Sequence, residues 1–152
     1  MLSVRLTHAT LRALDWLAAR TLSAEDRPQH LITGRRGEED AHFYLRRRRY
    51  VIIARNNRSP HHRGELGLVG WDKDVLCFVE VKTRTSRDVK PAEAAVGREK
   101  QRDLAAVARE FLRCMPRSCQ WRFDVIAVYY ESEVTLPSFE LFQNAFSVSY
   151  NS

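Results

Sequence analysis

The stretch Phe78-Val79-Glu80-Val81-Lys82 sets a carboxylate and an ammonium two residues apart in a run that reads as a β-strand. Side chains alternate along a strand, so Glu80 and Lys82 project from one face while Val79 and Val81 take the other. Such a pair can act on a phosphodiester. Magnesium prefers oxygen ligands in near-octahedral geometry and keeps several waters, so the Glu80 carboxylate, the Val81 main-chain carbonyl and a phosphate oxygen can complete its shell. The ion then polarises the phosphate and acidifies a bound water. Lys82 is placed to orient that water or to stabilise the charge that builds on the phosphoryl oxygens. Alternating charge at a strand end is also common on exposed sheet faces, so the triplet alone is a weak signal.

The elements that must position this pair follow from periodicity. From about Leu6 to Leu22 apolar residues recur at helical spacing, which predicts an amphipathic leading helix; Ser23 to Thr33 has linker character. The expected organisation is therefore 1–33 as helix and linker and 34–152 as the main domain. A second helix is predicted from Gly37 to about Arg48, with Glu38 and Glu39 in its first turn, where the helix dipole favours anions. Tyr50 to Arg55 reads as a strand ended by Asn56-Asn57. The strands Glu65 to Trp71 and Val75 to Lys82 flank Asp72-Lys73-Asp74, which predicts an antiparallel hairpin. Pro91 opens a helical turn, Gly97 interrupts it, and a helix resumes from Arg98 to Cys114 before Pro116. Phe123 to Tyr130 is almost wholly apolar, as in a strand covered on both faces. The aromatic tail from Ser138 to Tyr150 is expected to pack back as a short strand or loop. This order gives an α/β or α+β domain on a mixed sheet.

Composition bounds the rest. The chain has 152 residues, a formal charge of +6 and an excess of arginine concentrated in the run Arg46, Arg47, Arg48 and Arg49. A patch of this kind suits a polyanion, most simply DNA or RNA, although a solvated basic surface is the bland alternative. Cys77, Cys114 and Cys119 form no C-x-x-C pair, and their odd number argues against a disulfide framework, so a reduced cytoplasmic setting is expected. No window approaches the roughly 18 apolar residues of a membrane span, and no membrane partner is expected. A homodimer is a further option, as is a protein-interaction role for the leading helix.

Several blocks fall in a telling order: Gly37-Glu38 with Ala41 and Tyr44-Leu45, Tyr50-Val51-Ile52, Arg55-Asn56, Gly64-Glu65, Phe78 to Arg84, Lys100, and Arg122-Phe123-Asp124-Val125-Ile126. The arrangement resembles the bacterial YraN family over roughly Gly34 to Tyr130, with an echo at Asn144-Ala145-Phe146. That family is similar in its core to the restriction-endonuclease and Holliday-junction-resolvase superfamily. The resemblance implies a restriction-endonuclease-like fold, a nucleic-acid partner and magnesium-dependent hydrolysis, with Glu38 as the helical acid and Glu80 and Lys82 as the acid and lysine of the catalytic strand. Arg84 and Lys100 join the arginine run as candidate phosphate contacts.

Two departures from that pattern matter. The family's Gly-Glu-Ile-Asp-Leu-Ile stretch stands here as Gly64-Glu65-Leu66-Gly67-Leu68-Val69, so the superfamily's principal metal-binding aspartate falls on Gly67. Loss of that carboxylate should weaken the magnesium site and impair or abolish cleavage. Glu65 is the obvious substitute ligand, but two residues along a strand span roughly 6.6 Å, so rescue needs a bulge near Gly67 or a metal position shared with Glu38. Arg49 also replaces a glycine after the helix, where an arginine either accepts a left-handed conformation at roughly 1 kcal/mol or lets the helix run on. Of the remaining candidates, His61-His62 read as exposed, Asp124 as a structural acid needing a partner such as Arg122, and Trp71 and Trp121 as core or edge packing.

Overall fold

A computed structural model describes residues 29–85, 96–131 and 136–148. The chain divides into two compact units, 1–35 and 36–152, and all the candidate site residues lie in the second. The leading helix over Leu6–Leu22 and the turn at Pro91 fall outside the described residues.

Helix α1 runs Gln29–Arg47 and is followed by strands β1 (Val51–Arg58), β2 (Glu65–Asp72) and β3 (Val75–Arg84), helix α2 (Arg98–Leu112), and strands β4 (Gln120–Tyr129) and β5 (Ser138–Phe146). The sheet order is β1-β2-β3-β4-β5. β1, β2 and β3 form an antiparallel meander, β3 and β4 are parallel across the α2 crossover, and β5 returns antiparallel to β4. This is an α+β architecture on a five-stranded mixed sheet, consistent with a restriction-endonuclease-like fold. The expected β2–β3 hairpin is present, its turn made by Lys73 in a left-handed conformation (φ 54°) and Asp74. The aromatic tail forms β5 because its rings find partners: Phe146 stacks on Phe123 with centroids 4.7 Å apart, and Phe139 on Tyr44 at 4.5 Å. Trp71 and Trp121 pack partly buried against the core, as expected.

Alternation along the strands divides the interior into two cores. Leu76, Phe78, Phe123, Val125 and Ala127 pack with Leu104, Val107 and Ala108 of α2. On the other face Cys77, Val79, Ile126 and Val128 pack with Ala41 and Leu45 of α1 and with Tyr50. Burial pushes the Cys77 thiol up to about 12, which removes its reactivity.

Helix α1 begins eight residues before the predicted start at Gly37, and its first turn carries no acid, so Glu38 and Glu39 lie mid-helix and not at the positive end of the dipole. An isolated glycine in a helix costs only about 1 kcal/mol relative to alanine. Gly37 is needed for another reason: a Cβ there would overlap Thr83 Oγ1, so its bare backbone lets α1 lie down on β3. One turn further on, the buried Asp40 accepts a hydrogen bond of 2.5 Å from Tyr130.

The other end of α1 settles the Arg49 question. Arg49 N–H donates to the Arg46 carbonyl at 3.0 Å and Tyr50 N–H to the Leu45 carbonyl at 3.1 Å, the pair of bonds that defines a Schellman cap. Arg49 occupies the left-handed position with φ 70°, and Tyr50 and Leu45 meet in the α1-side core. The helix stops where a glycine would stop it, but with an arginine in the strained place.

Asp124, with no exposed surface, accepts from Arg122 Nε at 2.8 Å and from Asn144 N–H at 2.9 Å. Arg122 Nη2 reaches Asp72 at 2.8 Å and Tyr50 Oη at 3.1 Å, and Gln143 Nε2 donates to Tyr50 at 2.9 Å. This network ties the α1 cap to β2, β4 and β5, and burial raises the Tyr50 phenol to about 12. Two stability changes of opposite sign follow, both readable by chemical denaturation. Arg49→Gly should stabilise the fold by about 1 kcal/mol by relieving the left-handed strain. Asp124→Ala should destabilise it by about 2 kcal/mol, because Arg122 Nε and the Asn144 N–H lose their acceptor while Arg122 keeps the Asp72 carboxylate.

Candidate functional site

Val79 and Val81 belong to the α1-side core, so Glu80, Lys82 and Arg84 emerge on the α2 face. The parallel register sets them beside Val125, Ala127 and Tyr129 of β4, which are all part of the α2-side core. The expected acid and amine meet there: Lys82 Nζ lies 2.9 Å from Glu80 Oε1. Lys100, from the first turn of α2, reaches to 3.8 Å of the same oxygen. The Glu80 side chain is only 11 % exposed, against 21 % for Lys82 and 39 % for Lys100, so the carboxylate is held under two ammoniums.

The other acids gather near α1. With its amide nitrogen turned toward them, Asn56 donates to Glu38 Oε2 and Glu65 Oε1, each at 3.1 Å. Asn56 is in β1 with φ 48°, a conformation asparagine tolerates, and β1 continues past the expected end at Arg55 to Arg58. Arg58 Nη2 pairs with Glu65 Oε2 at 2.6 Å, and Arg55 with Glu39 at 2.8 Å. The Glu38 carboxyl is pushed above its usual range, first by burial and then by the Glu65 charge; Arg55 opposes the shift and Glu80 adds to it. The β3 acid and the helical acid therefore share one electrostatic neighbourhood.

Gly67 lies between these two groups. Its neighbours Leu66 and Leu68 belong to opposite cores, so the two-residue alternation of β2 breaks there. A Cβ on Gly67 would sit 3.2 Å from the Val79 carbonyl oxygen and 3.8 Å from Val81 Cγ2, in the seam between β2 and β3. Glu65 accordingly reaches the Glu38 side, held by Arg58 and Asn56, so the two acids of the alternative shared position are brought together there.

The magnesium ion that the resemblance implies needs several oxygen ligands around one point. Among the described residues, no three His, Cys, Asp or Glu side chains gather at ion-holding distances. Glu80 offers one carboxylate already shared by two cations, Gly67 offers none, and Glu65 is engaged elsewhere. The Val81 main-chain carbonyl follows Glu80 on the same strand, and Glu38, within electrostatic reach of Glu80 and Glu65, is engaged by Asn56. These residues do not fit a tightly held magnesium ion.

The basic candidates divide between the two ends of the sheet. Arg46 to Arg49 are all exposed at the C-terminal end of α1, where Arg48 donates to Tyr44 Oη at 2.7 Å. Nine helical rises separate Arg47 from Glu38, roughly 13 Å along the axis. Arg84 and Lys100 instead join Lys82 at the Glu80 end. His61 and His62 are exposed, and their main-chain N–H groups donate to Ser59 Oγ at 3.0 and 3.2 Å, which makes them parts of a turn. Asn56 and Arg58 give no functional signal in the sequence, because Asn56-Asn57 reads as a strand terminator and a lone arginine in a basic chain is unremarkable.

A raised carboxyl implies that ionised Glu38 opposes folding. Its contribution to stability is complete below the unfolded value near 4.5 and is lost as pH rises through the higher folded value. Glu38→Gln should therefore raise the Tm at neutral pH, and thermal melts near about pH 4 should show that gain vanish.

The model of the uncharacterised protein family UPF0102 matches residues 37–128, from the Gly37 contact on β3 through nearly all of β4. A UPF0102 protein of Koribacter versatilis is 46% identical over 143 residues, covering 91% of this chain and 99% of the relative. Another from Solibacter usitatus is 41% identical over 116 residues, 74% of this chain and 84% of its own. One from Geotalea uraniireducens is 34% identical over 130 residues, 85% and 100% respectively. With the matched segment spanning α1, the meander, the α2 crossover and the Glu80–Lys82 pair, the chain belongs to the UPF0102 (YraN) family.

Proposed function

We propose that this protein binds DNA or RNA on an endonuclease-like scaffold whose magnesium-dependent phosphodiester hydrolysis is lost or strongly impaired. The observation that carries the reading is the Glu80–Lys82 pair, closed at 2.9 Å, beside a β2 position that bears no side chain. The acid and the lysine of a nuclease strand are present and adjacent. What is missing is the second carboxylate that would balance the two ammoniums and help to hold a dication. A site with Lys82 and Lys100 around one carboxylate attracts phosphate better than it attracts magnesium. The exposed run Arg46 to Arg49 supplies the non-specific attraction to a polyanion, and a reduced cytoplasmic setting suits such a partner.

Fluorescence anisotropy across a salt series, paired with cleavage assays on branched, nicked and single-stranded DNA and on RNA, tests this directly. Binding should weaken steeply with salt and be unchanged by EDTA. Replacing Arg46, Arg47 and Arg48 with alanine should flatten the salt slope by roughly 0.7 to 0.9 for every phosphate that is no longer neutralised. No magnesium-dependent cutting should occur in the natural chain, and Gly67→Asp should restore it. Gly67→Ala introduces the same Cβ against the Val79 carbonyl and should remain inert, which separates the carboxylate from the steric intrusion. Cutting by the natural chain that stops in EDTA and disappears in Glu80→Ala would overturn the proposal and return Glu38 and Glu65 to the role of metal ligands.

A further inference from the structure

The C-terminal ends of the parallel strands β3 and β4, together with the start of the helix that joins them, form the region of an α/β crossover where anions are usually received. In this chain that region is unusually cationic. Lys82 and Arg84 follow Glu80 on the α2 face of β3, and Lys100 leans over the same carboxylate from α2. Among the described residues, Glu80 is the carboxylate within 4 Å of Lys82 and Lys100, while Glu140, opposite Ala127 on the same face, accepts from Tyr129 Oη at 3.0 Å. The other acids of the neighbourhood are directed elsewhere: Glu65 to Arg58, Glu39 to Arg55, Glu38 to Asn56. Glu99, the one acid in the first turn of α2, is exposed.

Two further observations point to an absent acceptor. Arg84 Nε is buried and meets no hydrogen-bond acceptor among the described residues, while its Nη1 donates only to the neighbouring Thr83 carbonyl at 3.2 Å. An unsatisfied buried donor is costly and rare in native structures. The first turn of α2 is also uncapped: its N-cap is Gly97, which provides no side-chain acceptor, and a Cβ there would meet only open space. The amides of that turn and the Lys100 ammonium thus share one opening.

We propose that Lys82, Arg84, Lys100 and the first turn of α2 form a metal-independent site for a dianionic phosphate group. A phosphomonoester carries about −1.5 to −2 near pH 7 and is drawn to the three cations more strongly than a backbone diester with its single charge. The two sources of that chemistry are the phosphorylated end of a nucleic acid and free phosphate. The proposal deepens the nucleic-acid reading above and rests on it only for the first of these sources. Glu80 takes an unexpected role: where a metal site needs its carboxylate, a phosphate site is weakened by it.

The test uses the full chain in EDTA, with 5′-phosphorylated and 5′-hydroxyl oligonucleotides of one sequence and with inorganic phosphate as competitor. The phosphorylated strand should bind about tenfold more tightly than its hydroxyl counterpart, and inorganic phosphate should remove the difference. Lys100→Met, at a partly exposed helix position, should abolish the end preference. Glu80→Gln should strengthen it, the reverse of what any metal-dependent site would give. Arg47→Met serves as a control away from the site, lowering affinity for both strands equally while leaving their ratio intact. If phosphate binds in a Lys100-dependent manner but neither strand does, the site stands and the nucleic-acid reading falls. If both strands bind equally, phosphate does not compete and Glu80→Gln weakens binding, the site is overturned even though nucleic acid is bound.

Discussion

The parallel register of β3 on β4 governs everything else in this domain. From Val75 opposite Gln120 to Arg84 opposite Tyr129 the two strands run without a slip, so each side chain of β3 is assigned to one face or the other by its partner. A shift of one residue would move every side chain to the opposite face. Val79 and Val81 would then leave the α1-side core, and Glu80 and Lys82 would be driven into the hydrocarbon that surrounds Ala41 and Leu45. The polar pair is tolerated near the centre of the sheet because hydrophobic alternation on the same strands fixes its direction.

The site lies across a seam and not within a single pocket. On one side are Glu38 and Glu65, bridged by an amide and flanked by arginines; on the other is Glu80 beneath two lysines. Gly67 separates them, and the change of facing between Leu66 and Leu68 keeps the two acidic groups from sharing one centre. A carboxylate at position 67 would project into that seam, near the main chain of β3. Its absence leaves two half-sites of opposite electrostatic character, one carrying crowded acids and the other excess ammonium.

How far the sequence foretells this depends on the range of the interactions involved. The β2–β3 hairpin, the buried β4 strand and the Glu80–Lys82 pair follow from alternation and turn chemistry, which act over a few residues. Asp124 reads from sequence as an acid in need of a partner and has Arg122, because burying an unpaired carboxylate is prohibitive. The start of α1 is not legible, since Gly37, which looks like a helix boundary, is favoured by a contact with Thr83, distant in sequence. The break of the two-residue period at Gly67 is not legible for a similar reason: it lies where β3 approaches the bare backbone of β2. The separation of the arginine run from Lys100 and Arg84 is a property of the assembled sheet, invisible in a linear reading.

That separation carries a consequence for scale. The guanidinium cluster closes α1 beside the start of β1, which pairs through Trp71 with Leu76, whereas Lys82 stands six residues further along β3, roughly 20 Å away along the sheet. A strand advancing about 3.4 Å per nucleotide covers that interval in about six steps. On the nucleic-acid reading proposed above, fragments shorter than this footprint would engage one anchor at a time, whereas longer ones would gain from both through high effective concentration, so oligomer length itself becomes a discriminating variable.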